Sequence, residues 1–148
     1  MPGGASLQAG EYYAHPHNAF WRIMGELFGT PADAPYAERV TALIDHRVAL
    51  WDVLAACSRR GSLDAHIDPG SIVVNDFASF LRGHADIQTV YFNGATAERL
   101  YRRHVLPGLC ARLRQLPGVR LPSTSPAHAA RSYGAKLAAW RVLLDALG

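Results

Sequence analysis

The chain has 148 residues, of which 49% are hydrophobic and 18% charged, which is typical of a globular protein with one sizeable core. It contains no apolar run long enough to cross a bilayer and no basic N-terminal stretch followed by an apolar segment. We therefore expect a cytoplasmic protein with no membrane partner. Two cysteines exclude a disulfide framework and a cluster held by four cysteines. A net charge of +3 is compatible with contacts to phosphates.

Two helices stand out in the first half of the chain. Apolar side chains at helical spacing predict one helix that ends before Gly29 and another over residues 36–45. Residues 1–11 are rich in glycine and alanine, and we interpret them as a loop. Residues 47–54 fit either a short strand or the start of a helix, and residues 57–70 are predicted to be mostly loop.

Strands and helices alternate in the second half of the chain. The β-branched and aromatic residues of 87–92 form the clearest strand, and a shorter strand is predicted over residues 119–122. Helical patterns surround these strands, over residues 76–81, 95–105, 106–116 and 129–147. The alternation predicts a single domain over residues 1–148 with an α/β fold, a three-layer α/β/α sandwich around a short, mostly parallel central sheet.

Polar side chains follow both predicted strands and also precede the first long helix. In parallel sheets ligands bind beyond the carboxyl ends of the strands, and Asn93 and residues 123–128 lie at two such ends. Residues 12–21 bring tyrosines, histidines and Asn18 to a helix start, where free backbone N–H groups favour anions. The three segments suit one site for a flat polar ligand. A capped helix with ordinary aromatic core residues is the alternative for residues 12–21.

These segments together resemble the uracil-DNA glycosylase superfamily and, within it, the hypoxanthine-DNA (deoxyinosine) glycosylase branch. The resemblance covers essentially the whole chain in the order of the family, and residues 12–21 and 122–127 are its most specific parts. The matching segments are residues 1–3, 12–21, 50–54, 75–77, 92–94 and 121–127, with Trp140 and Arg141 in the last helix.

The resemblance implies a monofunctional DNA repair glycosylase. Such an enzyme flips a deaminated base, with hypoxanthine favoured, out of DNA and hydrolyses its N-glycosidic bond to leave an abasic site. Damaged DNA would be the partner, no cofactor or metal would be needed, and we expect a monomer. Arg131 and Lys136 would face this DNA or lie on a solvated helix face. Uracil and xanthine stay open as preferred bases, and a non-catalytic DNA- or nucleotide-binding protein on the same fold is the alternative.

By the resemblance, the aromatic segment carries the catalytic group and part of the base pocket. Asn18 matches the important catalytic asparagine of the branch, and it would hold a water near the sugar carbon or donate to the departing base. Tyr13 would stack on the flipped base, with plain core packing as the alternative. His15 would donate to the base or a phosphate, unless it only bonds the loop backbone. His15 and His17 lack a third ligand at a familiar spacing, so we exclude a metal site.

The resemblance assigns further contacts to the other loops. Asn93 would read the base edge, although an Asn-Gly pair also favours a plain turn. Met1, Pro2 and Gly3 would line the base pocket. The last loop would bind DNA, with short hydroxyls on phosphates and a wedge in the gap left by the flipped nucleotide. Its residues are Ser123, Thr124, Ser125, Pro126, Ala127 and His128.

Two departures from the family pattern concern the start of the chain and its last loop. Family members carry a strand before the segment that matches Met1, Pro2 and Gly3. We therefore expect a chain that begins at Met1 to be poorly soluble, or to dimerise through an exposed strand edge, and to be weakly active. Met1 takes the place of a catalytic Asn or Asp of other branches, a group that the hypoxanthine branch also lacks. His128 stands where branch members often carry Asn.

Overall fold

The computed structural model of the protein describes residues 2–61 and 66–147. These residues form two compact units. The strand unit comprises residues 52–121 and holds every strand of the described residues, whereas the helical unit comprises residues 2–51 and 122–147. The mixture of helices and strands confirms the expected α/β class. The single domain over the whole chain stays a prediction.

The helices and strands are short. The helices are α1 (Gly4–Ala9), α2 (Phe20–Phe28), α3 (Tyr36–Asp45), α4 (Phe77–Gly83), α5 (Ala95–Leu100), α6 (Ala111–Arg114), α7 (Tyr133–Trp140) and α8 (Val142–Leu147). The strands are β1 (Leu54–Ala56), β2 (Val73–Val74), β3 (Val90–Asn93) and β4 (Gly118–Leu121). The strand unit also has short 3₁₀ turns at Pro69–Ser71 and Leu106–Gly108 and a π-helical turn at Tyr101–Val105. Among the described residues, no helix has the length and apolar character needed to traverse a bilayer.

The described strands pair in two separate two-stranded sheets. Strands β3 and β4 are parallel, as the sequence predicts, and their register pairs Asn93 with Leu121 at the carboxyl ends. Strands β1 and β2 are antiparallel, with an irregular register between Leu54 and Ala56. Because Gly94 N–H donates to the Leu121 carbonyl at 3.0 Å, the ends of β3 and β4 stay closed against each other. Both predicted ligand loops therefore begin at the same edge of one parallel pair.

The core of the strand unit forms where the parallel strands meet α4 to α6. Its buried residues are Leu81, Phe92, Tyr101, Val105, Leu109 and Leu113. Each such side chain contributes roughly 1.5–3 kcal/mol by leaving water. Gly118 allows the strands to approach, because a Cβ atom there would lie 3.0 Å from the Phe92 ring.

The core of the helical unit is built on α2. Its inward residues are spaced as in an amphipathic helix, and the buried set is Phe20, Trp21, Ile23, Met24, Leu43, Trp140 and Leu143. The helix ends as predicted, with Gly29 in the left-handed region at φ 78°. Gly25 is required for close packing, since a Cβ atom there would collide with the Thr30 carbonyl oxygen.

One local prediction near the start of the chain was wrong. Residues 1–11 are not all loop, because Gly4–Ala9 form α1, which ends at Gly10 with φ 67°. Helix α4 is capped by Asp76, whose carboxylate accepts the Ser79 N–H at 2.9 Å. The neighbouring Asn75 donates its side-chain amide to the Asp52 carbonyl at 2.8 Å.

The last predicted helix is broken into α7 and α8 at Arg141. The Leu144 N–H bonds to the Arg141 carbonyl three residues back, which tightens the chain and shifts the helical register. As a result the buried face carries Lys136, Trp140 and Leu143, whereas Leu144 is 42% exposed. The prediction of one continuous helix over residues 129–147 was therefore wrong, and the first of the two helices begins only at Tyr133.

Candidate functional site

Asn18 closes a turn immediately before α2. Its backbone N–H donates to the His15 carbonyl at 2.8 Å, and its side-chain Oδ1 accepts the Phe20 N–H at 3.0 Å. A backbone N–H requires an acceptor, so this contact fixes which end of the amide is oxygen. Within residues 2–61 and 66–147, no hydrogen bond engages the Asn18 NH₂ group. The half-buried side chain thus keeps two N–H donors for a ligand.

The aromatic segment before Asn18 is fixed by its neighbours. The Trp21 indole donates to the Tyr12 carbonyl at 2.7 Å, and the Tyr12 N–H donates to the Tyr36 hydroxyl at 3.1 Å. Tyr13 adopts the left-handed region at φ 54°, which is uncommon for a residue other than glycine. Its ring stacks on Phe20 with centroids 4.1 Å apart. Tyr13 is half-buried, so core packing and exposure to a ligand coexist in one side chain.

His15 and His17 form the exposed turn of this segment. The His17 N–H donates to His15 Nδ1 at 3.1 Å, so the proton of a neutral His15 ring lies on Nε2. The two rings meet edge to face at 5.5 Å. His15 therefore bonds the loop backbone through one nitrogen and presents a donor with the other. In the part of the chain that the structure describes, no three His, Cys, Asp or Glu side chains gather as metal ligands would.

The Ser/Thr/Pro loop, residues 122–128, is folded by its own serines. Ser123 Oγ accepts the Ser125 N–H at 3.2 Å, and Ser125 Oγ accepts the Ala127 N–H at the same distance. A hydroxyl that accepts one bond still has its own hydrogen to donate. Thr124 lies between them with only 1% of its surface exposed. Ser123 and Ser125, both half-buried, are therefore the hydroxyls closest to solvent, and Pro126, which follows, is exposed.

Backbone carbonyls of the Ser/Thr/Pro loop connect it to two helices. The Ala19 N–H, next to Asn18, donates to the Thr124 carbonyl at 3.0 Å. From α7, the Trp140 indole donates to the Pro122 carbonyl at 3.0 Å. The predicted catalytic and DNA-binding segments are thus brought together in the helical unit. Ala127 and His128 lie at the exposed end of the loop, and the His128 N–H donates to the Ser125 carbonyl at 3.1 Å.

Lys136 is buried, whereas the sequence suggested that it would face DNA or lie on a solvated helix face. It lies neither on a solvated face nor at an exposed surface, because only 6% of its area is accessible. Its ammonium donates to the Ser125 carbonyl at 3.3 Å, and burial lowers the pKa of Lys136. The available signal was its spacing of four residues from Trp140, which places both on one helix face. Arg131, by contrast, is exposed.

A polar contact between α2 and α7 was also missed from the sequence. The Tyr133 hydroxyl donates to Glu26 Oε1 at 2.5 Å, and the Arg22 guanidinium lies 4.2 Å from the Tyr133 ring centre. Burial first, and then the hydrogen bond and the charge of Glu26, raise the pKa of Tyr133 to about 12. The phenol therefore stays protonated at neutral pH, where it can donate this bond.

The other residues predicted to bind the base lie outside the Asn18 turn and the Ser/Thr/Pro loop. Asn93 is half-buried at the carboxyl end of β3 in the strand unit. Pro2 and Gly3 precede α1 and are half-buried, and the Gly3 carbonyl accepts the Leu7 N–H at 3.0 Å. Met1 lies outside the described residues.

The fold and these segments agree with one protein family. The family model for the uracil DNA glycosylase superfamily matches residues 1–147. The chain therefore belongs to the uracil DNA glycosylase superfamily, which confirms the resemblance found in the sequence.

Two relatives are similar to this chain in sequence over most of its length. The chain is 35% identical over 98 residues to a hypoxanthine DNA glycosylase of Methanosarcina acetivorans, covering 66% of this chain and 61% of that protein. A hypoxanthine DNA glycosylase of Methanosarcina barkeri is also 35% identical, over 95 residues, 64% of this chain and 59% of its own. Both matches span less than two thirds of the relative's length.

A solved structure extends the similarity over nearly all of the chain. It is the solution NMR structure of a Methanosarcina acetivorans protein described as a candidate uracil DNA glycosylase. The TM-score is 0.74 at 30% identity, with 97% of this chain and 86% of the other covered.

Proposed function

We propose that the protein is a monofunctional DNA glycosylase that removes a deaminated base, hypoxanthine in the first place, and leaves an abasic site. The observation that carries the proposal is the Asn18 side chain, whose carbonyl end is held by the Phe20 N–H while its NH₂ end has no hydrogen-bond partner among the described residues. The names of the two curated relatives support the choice of hypoxanthine. Damaged DNA is the corresponding substrate.

Cleavage of the N-glycosidic bond explains what an amide N–H donor contributes to the reaction. When the N-glycosidic bond breaks, its electron pair stays with the departing base, and positive charge develops on the sugar. A water oxygen then bonds the sugar carbon, and a proton from water reaches the base. A donor held in place before the reaction stabilises the negative charge of the base without reorganising. Because the Asn18 oxygen already accepts a backbone bond, we favour donation to the base over the holding of water as its role.

The neighbouring residues complete a proposal for base binding. A flipped base would stack on the half-buried Tyr13 ring, which Phe20 supports from within the core. His15 would donate from Nε2 to the base or a phosphate, which is supported by its exposed position and by the backbone bond at Nδ1. Asn93 and the segment with Pro2 and Gly3 stay candidates for reading and lining the base. Support for Asn93 comes from its location at a strand carboxyl end.

DNA would be held by the Ser/Thr/Pro loop. The hydroxyls of Ser123 and Ser125 suit phosphate contacts, which fix register without reading sequence. Pro126 and the two residues after it are exposed, as a wedge into the stack requires. Thr124 contributes its backbone carbonyl to the internal contact with α2, so we assign its side chain to loop packing.

Base release from oligonucleotides that contain inosine, uracil or xanthine tests the reaction. We expect free hypoxanthine and an abasic strand from the inosine substrate, with no loss of activity in EDTA. Binding of inosine-containing DNA without release of base would replace this proposal by a non-catalytic DNA-binding role. Activity that EDTA abolishes and a divalent ion restores would contradict a metal-free reaction.

Asn18→Asp separates the catalytic role of the side chain from its structural one. Aspartate closes the same backbone turn but has no N–H to donate. We expect single-turnover base release from saturating DNA to fall by on the order of a hundredfold, as for the loss of one preorganised donor, with unfolding nearly unchanged. Asn18→Ala, which loses both contacts, is the matched comparison. An Asn18→Asp protein as active as the wild type would reduce Asn18 to a turn residue.

A further inference from the structure

The buried face of α7 supplies two side-chain donors to one loop. Lys136 donates to the Ser125 carbonyl at 3.3 Å, and Trp140, one turn further along, donates to the Pro122 carbonyl at 3.0 Å. Residues four apart lie on one helix face, so both donors follow from a single orientation of α7. Helix α7 thus holds the backbone of the Ser/Thr/Pro loop at both ends of residues 122–125.

The same loop contacts the segment that carries Asn18. The Thr124 carbonyl, between the two held positions, accepts the Ala19 N–H at 3.0 Å. Ala19 directly follows Asn18 and precedes the first residue of α2. A displacement of Ser125 would therefore move the carbonyl to which the start of α2 is bonded. This gives a continuous route from Lys136 through the loop backbone to the Asn18 turn.

A lysine at this position is unusual. Lys136 as a residue is 6% exposed, and burial of a charged side chain disfavours its charged form unless the charge is bonded. An apolar residue would fill the same position at lower cost, while exposed positions such as Arg131 and Arg141 carry charge freely. The acceptor that Lys136 meets is a loop carbonyl, and this points to loop geometry as its purpose.

We propose that Lys136 is a positioning residue of the glycosylase reaction, acting through the Ser125 carbonyl on the Ser/Thr/Pro loop and on the Asn18 turn. The proposal rests on the function proposed above. Reactions that depend on near-ångström alignment lose rate when the supporting contacts are removed, even where binding survives. Lys136 accordingly acts on the chemical step and does not contact a phosphate.

Lys136→Met tests this role, because methionine has a similar length and no donor. The Ser125 carbonyl keeps its bond from the His128 N–H, and replacing a buried charge by an apolar side chain is often neutral for folding, so the variant should fold. Arg141→Met is the control, since it removes one positive charge from the exposed end of the same helix. We expect single-turnover release from saturating inosine DNA to fall about tenfold in Lys136→Met only, equivalent to about 1.4 kcal/mol in the barrier.

Two further measurements distinguish positioning from DNA contact and from general structure. The dissociation constant for DNA and its salt dependence should be unchanged in Lys136→Met, whereas a phosphate contact would flatten the salt slope by about one unit and overturn the proposal. Amide hydrogen exchange at Ala19 and His128 should accelerate in Lys136→Met but not in Arg141→Met. Unchanged exchange, or unchanged release by Lys136→Met, would also overturn it. If the wild type releases no base, the proposed function is refuted. The exchange measurement then still tests whether Lys136 holds the Ser/Thr/Pro loop and the Asn18 turn.

Discussion

The strand unit and the helical unit differ in which parts of the chain their side-chain bonds join. In the strand unit, Asp76 caps its own helix, and the Asn75 side chain bonds a carbonyl 23 residues away. In the helical unit, Lys136 bonds a loop carbonyl 11 residues away, and Tyr133 bonds Glu26, 107 residues away. Local bonds set where a helix ends, whereas bonds between distant segments hold loops in one geometry. The Tyr133–Glu26 bond joins segments from the two ends of the chain within the helical unit, which is also the unit that contains Asn18, the residue proposed for catalysis.

The largest expected effect comes from opening a cavity in each core. Ile23 and Leu109 are buried aliphatic residues, 0% and 2% exposed, one in α2 and the other in the strand unit. Replacing either by alanine should lower the free energy of unfolding by about 2–5 kcal/mol, measured by urea denaturation. Only Ile23→Ala should also slow base release per folded molecule, since α2 follows the Asn18 turn. Equal losses of the base-release rate in Ile23→Ala and Leu109→Ala would contradict a special role of the helical unit in the reaction.

An intermediate effect is expected from the replacement of exposed arginines, and it is measured as the salt dependence of DNA affinity. Arg131 precedes α7 in the helical unit, and Arg112 lies on α6 in the strand unit; both are exposed. If the helical unit faces DNA, Arg131→Ala should reduce the slope of log affinity against log salt by about one. Arg112→Ala should leave it unchanged. The opposite pattern would assign DNA binding to the strand unit.

The smallest effect concerns the Asp76 cap and its pH dependence. The hydrogen bonds from Ser79 hold the pKa of Asp76 below its ordinary value of 3.8. A carboxyl with a lowered folded pKa stabilises the protein above its unfolded pKa and loses this contribution as pH falls through the folded pKa. Asp76→Asn should therefore be slightly less stable near neutral pH, with the difference narrowing below 3.8. Urea unfolding at several pH values measures this, and a constant difference would exclude the charge as its cause.

Local patterns in the sequence were sufficient to predict the helices beside the candidate site. The spacing of apolar residues predicted both α2 and α3, and the glycine after α2 predicted where that helix ends, because these signals lie within or directly beside the helices. Helix α1 was missed, since its glycines resemble a loop and it is only six residues long. The capping alternative for Asn18 does not hold in its simple form, because the N-cap residue of α2 is Ala19 and the Asn18 side chain bonds the Phe20 N–H from one residue before that cap.

Burial of individual polar residues could not be predicted in the same way. Thr124 lies in a segment typical of an exposed loop, and Lys136 is marked only by its spacing from Trp140, yet both are buried. The groups that they contact belong to segments distant in the chain, so a local period does not identify these partners. The antiparallel pairing of β1 with β2 likewise joins two segments that are not neighbours in the sequence.

The closed end of the parallel pair has a chemical consequence for the ageing of the protein. Asn-Gly pairs lose ammonia when the glycine nitrogen attacks the asparagine side-chain carbonyl carbon and forms a cyclic imide. At Asn93 that nitrogen belongs to Gly94, whose N–H is bonded to the Leu121 carbonyl at 3.0 Å. The attack requires this bond to break and the backbone to rotate, so the folded pair is protected while an unfolded chain is not. A protein proposed to remove hydrolytically deaminated bases from DNA thereby shields its own most vulnerable amide from the same kind of hydrolytic loss.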